Sequence, residues 1–130
     1  MKLTLLRLEK LIQTRWKLDV VIMRDKPGKG RTLIEKFEQE AKHAALAIAL
    51  FSPDDFVETP DAEYLQARPN VIFELGYFYG QLGRRRVCIL LKKGTKIHSD
   101  LEGINRIEFI DSVEEKVAEL EKELQAAGLI

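Results

Sequence analysis

The sequence has little of the chemistry from which disulfides and metal sites are built. Of its 130 residues, one is a cysteine, Cys88, and two are histidines. A single thiol excludes an intrachain disulfide and a zinc site built on cysteines. Because Cys88 lies in the apolar run RVCILL, we expect it to be a small buried hydrophobic side chain. His43 and His98 are far apart and have no metal-like companions, so we expect surface residues and no metal site.

The sequence also has no excess of positive or negative charge and no long hydrophobic run. The 21 basic and 21 acidic residues cancel, so no net field draws the protein to nucleic acid or to an anionic membrane. The first apolar segment, MKLTLLRLEKLI, is too short and too interrupted by charge for a signal peptide or a membrane span. The sequence therefore predicts a cytoplasmic protein, and its length predicts a single domain over residues 1–130.

Alternating helical and strand patterns predict the fold class. Apolar residues at helical spacing, with capping and breaking residues, predict four helices: 3–16, a segment that starts after Thr32, 70–82 and 112–126. Four short apolar runs predict buried strands: 18–23, 45–51, 86–91 and 107–110. Three of the four prolines fall in residues 52–69, which we interpret as a long connection. The pattern indicates an α/β fold with a mostly parallel four-stranded sheet and helices on both faces.

In such a fold, ligands bind beyond the carboxyl ends of the strands. Three segments are expected to meet there: 24–31, 52–69 leading into the next helix, and 92–105. The first has glycines before a helix N-terminus, an arrangement that favours anion binding, although an exposed basic turn explains it equally well. It matches neither the dinucleotide-binding nor the P-loop motif. Asp54 and Asp55 follow a strand, where carboxylates bind a metal or, more often, cap a turn.

The segment 69–82 combines features that a simple core helix does not need. Val71, Leu75 and Phe78 share an apolar face, and Glu74 lies at its rim. Gly76 and Gly80 each cost about 1 kcal/mol relative to alanine, and close packing against a neighbouring element is the simplest reason for them. From the residues alone, Glu74 is either a solvated or ion-paired side chain, with Arg68 or an arginine of 84–86 as its partner, or a catalytic carboxylate.

Three stretches resemble the bacterial TIR-like nucleotide-binding domains that act as effectors in cyclic-nucleotide-triggered antiphage defence. They are PGKGRTLIEKFE, ALFSPDD and ARPNVIFELGYFYGQLGRRRV. The resemblance implies a flavodoxin-like TIR fold and hydrolysis of NAD, as substrate rather than cofactor, to nicotinamide and ADP-ribose. It also implies that Glu74 is the catalytic glutamate. The same stretches hold the residues expected to bind NAD: Pro27, Gly28, Gly30, Arg31, Ser52, Asp54, Arg68 and Asn70.

The resemblance further implies activation by self-assembly into a homo-oligomer, with a sensor domain or a sensor protein in trans. Phe73, Gly76 and Gly80 would form a flat apolar surface suited to that approach. The family's domain begins with a strand that this sequence does not show, so we expect a shortened domain with an impaired NAD pocket and reduced activity. We also expect the strand at 18–23 to pair with 45–51 or with a second chain. The alternative function is a TIR-like module that binds a nucleotide or a protein without hydrolysis.

Overall fold

The fold is described by a computed structural model that covers residues 2–23, 30 and 32–130. Four helices and five strands follow one another in this part of the chain: α1 (Lys2–Trp16), α2 (Leu33–Ala41), β1 (Ala47–Phe51), β2 (Asp55–Glu58), β3 (Glu63–Gln66), α3 (Pro69–Leu82), β4 (Val87–Lys92), β5 (Arg106–Phe109) and α4 (Val117–Ala126). A 3-10 turn, Val113–Lys116, leads into α4. None of the helices in the described part of the chain is long and apolar enough to cross a membrane.

The central sheet is parallel and has the order β1-β4-β5. Ala47 lies opposite Val87, and Ile89 lies opposite Arg106. β4 is the middle strand, and its residues 87–91 are all buried. A strand that is buried on both faces has an almost continuous apolar sequence. The run RVCILL therefore predicted β4 correctly.

Helices cover both faces of this sheet. Cys88 and Leu90 point to a core shared with α1 and α4, whereas Val87, Ile89 and Leu91 point to a core shared with α2 and α3. Burial raises the pKa of the Cys88 thiol to about 12, so this side chain is an unreactive part of the first core, as expected. The predicted α/β architecture, a parallel sheet between two helical layers, is confirmed.

The helix ends follow the predicted local signals. Thr32 accepts a hydrogen bond from the Glu35 backbone N–H at 3.1 Å, and the Thr32 N–H donates to the Glu35 side chain at 3.3 Å, which completes a capping box. Pro69 occupies the first turn of α3, and Gly83 ends it with a φ of +83°. The predicted bounds of α1 and α3 and the predicted start of α2 are therefore confirmed to within one or two residues. The last helix ends where predicted but begins at Val117 rather than at 112, because a 3-10 turn takes the place of its first turn.

The predicted strand at 18–23 is not formed. Residues 17–22 have no regular structure, and the sheet has three strands within the described residues, so the fourth strand is not confirmed. Leu18 and Val20 pack against the core beneath α1 instead, which buries them without backbone pairing. An apolar run becomes a strand only where a neighbouring strand satisfies its N–H and C=O groups.

The connection between β1 and α3 contains a hairpin that the sequence reasoning missed. β2 and β3 pair antiparallel, with Phe56 opposite Leu65 and Val57 opposite Tyr64. The Thr59 N–H donates to the Ala62 carbonyl at 2.8 Å and closes the turn. The interpretation of 52–69 as a plain connection is therefore wrong.

The interior glycines of α3 are not explained by close packing. A methyl group added at Gly76 or Gly80 would meet no atom within 4 Å in the described part of the chain. The expected close approach of a neighbouring element is therefore wrong here, and both positions lie on the exposed side of α3.

Gly76→Ala should stabilise the protein by about 1 kcal/mol, because alanine lowers the conformational freedom of the unfolded chain and meets no obstacle in α3. Gly83→Ala is the matched control and should destabilise it, because Gly83 has a φ of +83°. Urea unfolding of both variants measures the two changes in the free energy of unfolding. Destabilisation by Gly76→Ala would contradict the open environment of α3.

Candidate active site

The candidate site lies where α3 begins, at the edge of the sheet at which β1 and β4 end. Ser52 follows β1 and is buried, and its carbonyl accepts a hydrogen bond from the Asp54 N–H at 2.8 Å. The Asp54 N–H also donates to the Gln66 carbonyl at 3.1 Å, which draws the end of β3 towards the end of β1. The hairpin therefore returns the chain to the sheet edge immediately before α3.

Glu74 lies one turn into α3 and is half-buried. Its neighbours on the helix, Leu75 and Phe78, are core residues, so the carboxylate occupies the rim of the apolar face as predicted. Burial raises the pKa of Glu74 above its ordinary value of 4.5, and the positive charge of Lys36 on α2 partly reverses that rise. Glu74 is thus a carboxylate whose basicity is increased by its surroundings.

The packing of α2 on α3 creates that environment. The Phe37 ring lies 5.9 Å from the Phe73 ring, 5.4 Å from the Tyr77 ring and 5.9 Å from the Phe78 ring, measured between ring centroids. These aromatic contacts hold α2 against α3 one turn from Glu74. Lys36 precedes Phe37, so the helix whose aromatic ring packs on α3 also carries the cation that acts on the pKa of Glu74. Arg68 or an arginine of 84–86 was expected to be the cation that acts on Glu74, and the cation whose charge lowers its pKa is instead Lys36.

The other residues predicted to bind NAD are only partly described. Arg68 caps the start of α3 with its backbone carbonyl, which accepts from the Val71 N–H at 3.0 Å, and its side chain is exposed. Asn70 is exposed in the first turn of α3, on the same stripe as Glu74. Gly30 is exposed with a φ of +75°. The predicted positions Pro27, Gly28 and Arg31 lie outside the described residues.

A second polar arrangement at this edge was not anticipated. The Gln66 amide donates from Nε2 to Asp55 Oδ2 at 3.0 Å, so its Oε1 accepts from His98 Nε2, 2.8 Å away. The Lys96 N–H also donates to the Leu65 carbonyl at 2.7 Å. Asp55 therefore orients the Gln66 amide and is not a free metal ligand. His98 was expected at the surface, but it is half-buried and connects the hairpin to the loop after β4. His98 lies 32 residues beyond Gln66, so only the hairpin pattern in 55–66 could have suggested that these side chains meet.

The described residues contain no group of three or more His, Cys, Asp or Glu side chains that could hold a metal ion. They do contain a surface cleft of about 320 Å³ between α2 and α3. Tyr77 and Gln81, which line it, belong to the same stripe of α3 as Asn70 and Glu74. The groove between the two helices therefore has open volume further along α3, beyond the carboxylate.

Comparison with known proteins identifies the family. Residues 2–111 match the family model described as CAP12/Pycsar effector protein, TIR domain. The chain is 45% identical over 89 residues to the uncharacterised protein YuaY of Escherichia coli K12, an alignment that covers 67% of this chain and 30% of YuaY. It is 41% identical over 76 residues to the Pycsar effector protein PaPycTIR of Pseudomonas aeruginosa, covering 57% of this chain and 25% of that protein.

A third relative is CD-NTase-associated protein 12 of Niabella drilacis, which is 40% identical over 68 residues, covering 52% of this chain and 22% of that protein. The chain thus matches less than a third of the length of each of these three relatives. The family model, in contrast, spans most of the chain and includes every element from α1 to β5. On that match, the chain belongs to the family of the CAP12/Pycsar effector TIR domains.

Proposed function

We propose that this domain hydrolyses NAD to nicotinamide and ADP-ribose as an effector in antiphage defence, and that self-association activates it. The observation that carries the proposal is the half-buried carboxylate of Glu74, with its raised pKa, at the sheet edge where α/β folds bind ligands. Family membership supports the same reading, because the Pycsar effector proteins are among its relatives. A cyclic-nucleotide sensor, in the same protein or in trans, would supply the activating signal in a cytoplasmic setting.

The proposed reaction suits a site with one carboxylate. The bond between C1′ of the ribose and the pyridinium nitrogen breaks, and its electron pair returns to the ring, so nicotinamide leaves as a neutral molecule. No general acid is needed for such a leaving group, in contrast to a glycosidase that releases an alcohol. Water then adds to C1′ and loses a proton, which completes ADP-ribose.

Glu74 has two tasks in this scheme. Its ionised carboxylate stabilises the positive charge that develops on the ribose, and it accepts hydrogen bonds from the ribose hydroxyl groups. A raised pKa also makes it a better acceptor for the proton of the attacking water. Lys36 opposes the rise in the pKa of Glu74 and so keeps the carboxylate ionised at lower pH. We propose the exposed side chains of Arg68, Asn70 and Asp54, together with Pro27, Gly28, Gly30, Arg31 and Ser52, as the surrounding contacts of NAD.

The reaction is tested by incubating the concentrated protein, with and without a crowding agent, with NAD and measuring released nicotinamide. Glu74→Gln should reduce the rate by on the order of 100-fold or more, because the neutral amide cannot stabilise the cationic ribose. Glu119→Gln, an exposed change in α4 on the other face of the sheet, is the matched control and should leave the rate unchanged.

Loss of activity in Glu74→Gln should not reflect unfolding. Because the folded-state pKa of Glu74 is raised, its contribution to stability is present below pH 4.5 and is lost as the pH rises through the folded-state pKa. Replacement by a neutral amide should therefore leave the protein at least as stable near pH 7. Equal nicotinamide release by wild type and Glu74→Gln would refute the catalytic role of Glu74. Binding of ADP-ribose with no release by any assembled form would instead support the non-catalytic binding module.

Lys36→Met should move the acid limb of the pH–rate profile to higher pH. Removing the cation leaves the effect of burial unopposed, so the pKa of Glu74 rises and activity is lost at a higher pH on acidification. Lys122→Met, an exposed change in α4, is the control and should leave the limb in place. An unchanged or downward-shifted limb in Lys36→Met would show that the ionisation of Glu74 does not control the rate.

A further inference from the structure

The β2–β3 hairpin presents an unusual outer face. Side chains alternate between the two faces of a hairpin, and the cross-strand pairs Phe56–Leu65 and Glu58–Glu63 share the outer one. Phe56 is 59% exposed and Leu65 is 40% exposed, and both glutamates are exposed. The opposite face, with Val57 and Tyr64, is half-buried. We call the four exposed residues, Phe56, Glu58, Glu63 and Leu65, the hairpin face.

The charge of the hairpin face has no compensation in its own segment. Residues 53–67 contain no lysine or arginine. Glu58 lies directly opposite Glu63, and like charges in that position destabilise a pair of strands. The Lys96 ammonium group lies against the opposite face of the hairpin, 5.3 Å from the centroid of the Tyr64 ring. An exposed aromatic ring beside two carboxylates on the outer face suits a partner that is both apolar and cationic.

The outer side of α1 has that composition. Leu3, Leu6, Arg7 and Lys10 follow the i, i+3, i+4, i+7 spacing and therefore share one stripe of the helix. Leu3 is 61% exposed and Leu6 is 44% exposed, whereas the opposite side of α1 is buried through Leu8 and Ile12. We call these four exposed residues, Leu3, Leu6, Arg7 and Lys10, the helix face.

A cleft adjoins the helix face. Arg7 and Lys10 line it together with Leu11, and its volume is about 440 Å³. Leu11 is half-buried and packs against the core beneath α1. Thr14, Arg15 and Glu114 complete the lining, so the cleft combines an apolar wall with three cationic side chains and one carboxylate, and its net charge is positive. An aromatic ring that entered it would lie beside a guanidinium group, a favourable arrangement for both.

We propose that a second copy of this chain is the partner, and that the hairpin face of one copy binds the helix face of the next. Phe56 and Leu65 would bury Leu3 and Leu6, and the carboxylates of Glu58 and Glu63 would pair with Arg7 and Lys10. Each face carries two apolar and two charged side chains, and the charges are negative on the hairpin face and positive on the helix face. Both faces are exposed in the isolated chain. This inference rests on the self-association in the proposed function and assigns surfaces to it.

The pairing joins two different surfaces, so the assembly is head-to-tail. Such a contact does not close with two-fold symmetry and continues from copy to copy unless its rotation forms a ring. Its charged pairs lie at the protein surface, so added salt should weaken it. The apolar surface expected around Phe73, Gly76 and Gly80 of α3 stays a prediction that this pairing does not use.

Sedimentation velocity over a range of concentrations tests the proposal. Wild type should form species larger than a dimer as concentration rises, and fewer of them at high salt. The hairpin variant, Phe56→Ser with Leu65→Ser, and the helix variant, Leu3→Ser with Leu6→Ser, should each weaken self-association by about tenfold or more. All four side chains are exposed, so both variants should fold, which circular dichroism verifies.

Mixing the two variants gives the decisive result. Each retains the face that the other lacks, so an equimolar mixture should form a 1:1 dimer and nothing larger. Val21→Ser, which changes another exposed apolar side chain, is the control and should assemble like wild type. A monomeric wild type at every concentration, variants that assemble like wild type, or a mixture that stays monomeric would each overturn the proposal.

The same measurements on Glu74→Gln separate this inference from the proposed reaction. Glu74 lies outside both faces, so Glu74→Gln should assemble like wild type even though its nicotinamide release is reduced by on the order of 100-fold or more. Normal assembly with no hydrolysis by wild type would refute the reaction alone. Full hydrolysis by a wild type that remains monomeric would refute the head-to-tail assembly and leave the reaction intact.

Discussion

The parallel pairing of β4 with a neighbour on each side is the constraint from which the rest of the structure follows. Because Val87–Leu91 is buried on both faces, the strand needs a helical layer above and below it, and α1, α4, α2 and α3 provide these layers. Parallel pairing also brings the ends of β1 and β4 to one edge. The start of α3, and with it Glu74, lies at that edge. The position of Glu74 is therefore a consequence of the sheet.

Most of the fold was predictable from local signals, and the errors came from elements that depend on distant contacts. Pro69 and Gly83 mark the ends of α3 in the sequence as well as in the structure, because capping is a local property. The hairpin was missed because β2 and β3 are short and half-polar, and their base is held by His98, which lies 32 residues beyond Gln66. The run 18–23 is apolar enough for a strand, but pairing requires a neighbour that composition does not reveal.

The candidate site was predictable in part for the same reason. Helical spacing alone predicted that Glu74 would lie at the rim of the apolar face, and its half-buried position agrees. Lys36 was not predicted, because its approach depends on how Phe37 packs against the aromatic residues of α3. The roles of Ser52, Asp54, Arg68 and Asn70 towards NAD stay predictions. Glycine placement misled the sequence reasoning, since Gly76 and Gly80 border open space rather than a packed neighbour.

The central claim is that Glu74 is a partly desolvated carboxylate at a ligand-binding edge. Carbon-13 NMR titration of its side-chain carboxyl carbon, assigned by comparison with Glu74→Gln, measures this directly. The account predicts a titration midpoint above the ordinary value of 4.5 in the free protein, and a change in that midpoint when ADP-ribose is added. A midpoint at or below 4.5 that ADP-ribose leaves unchanged would contradict it.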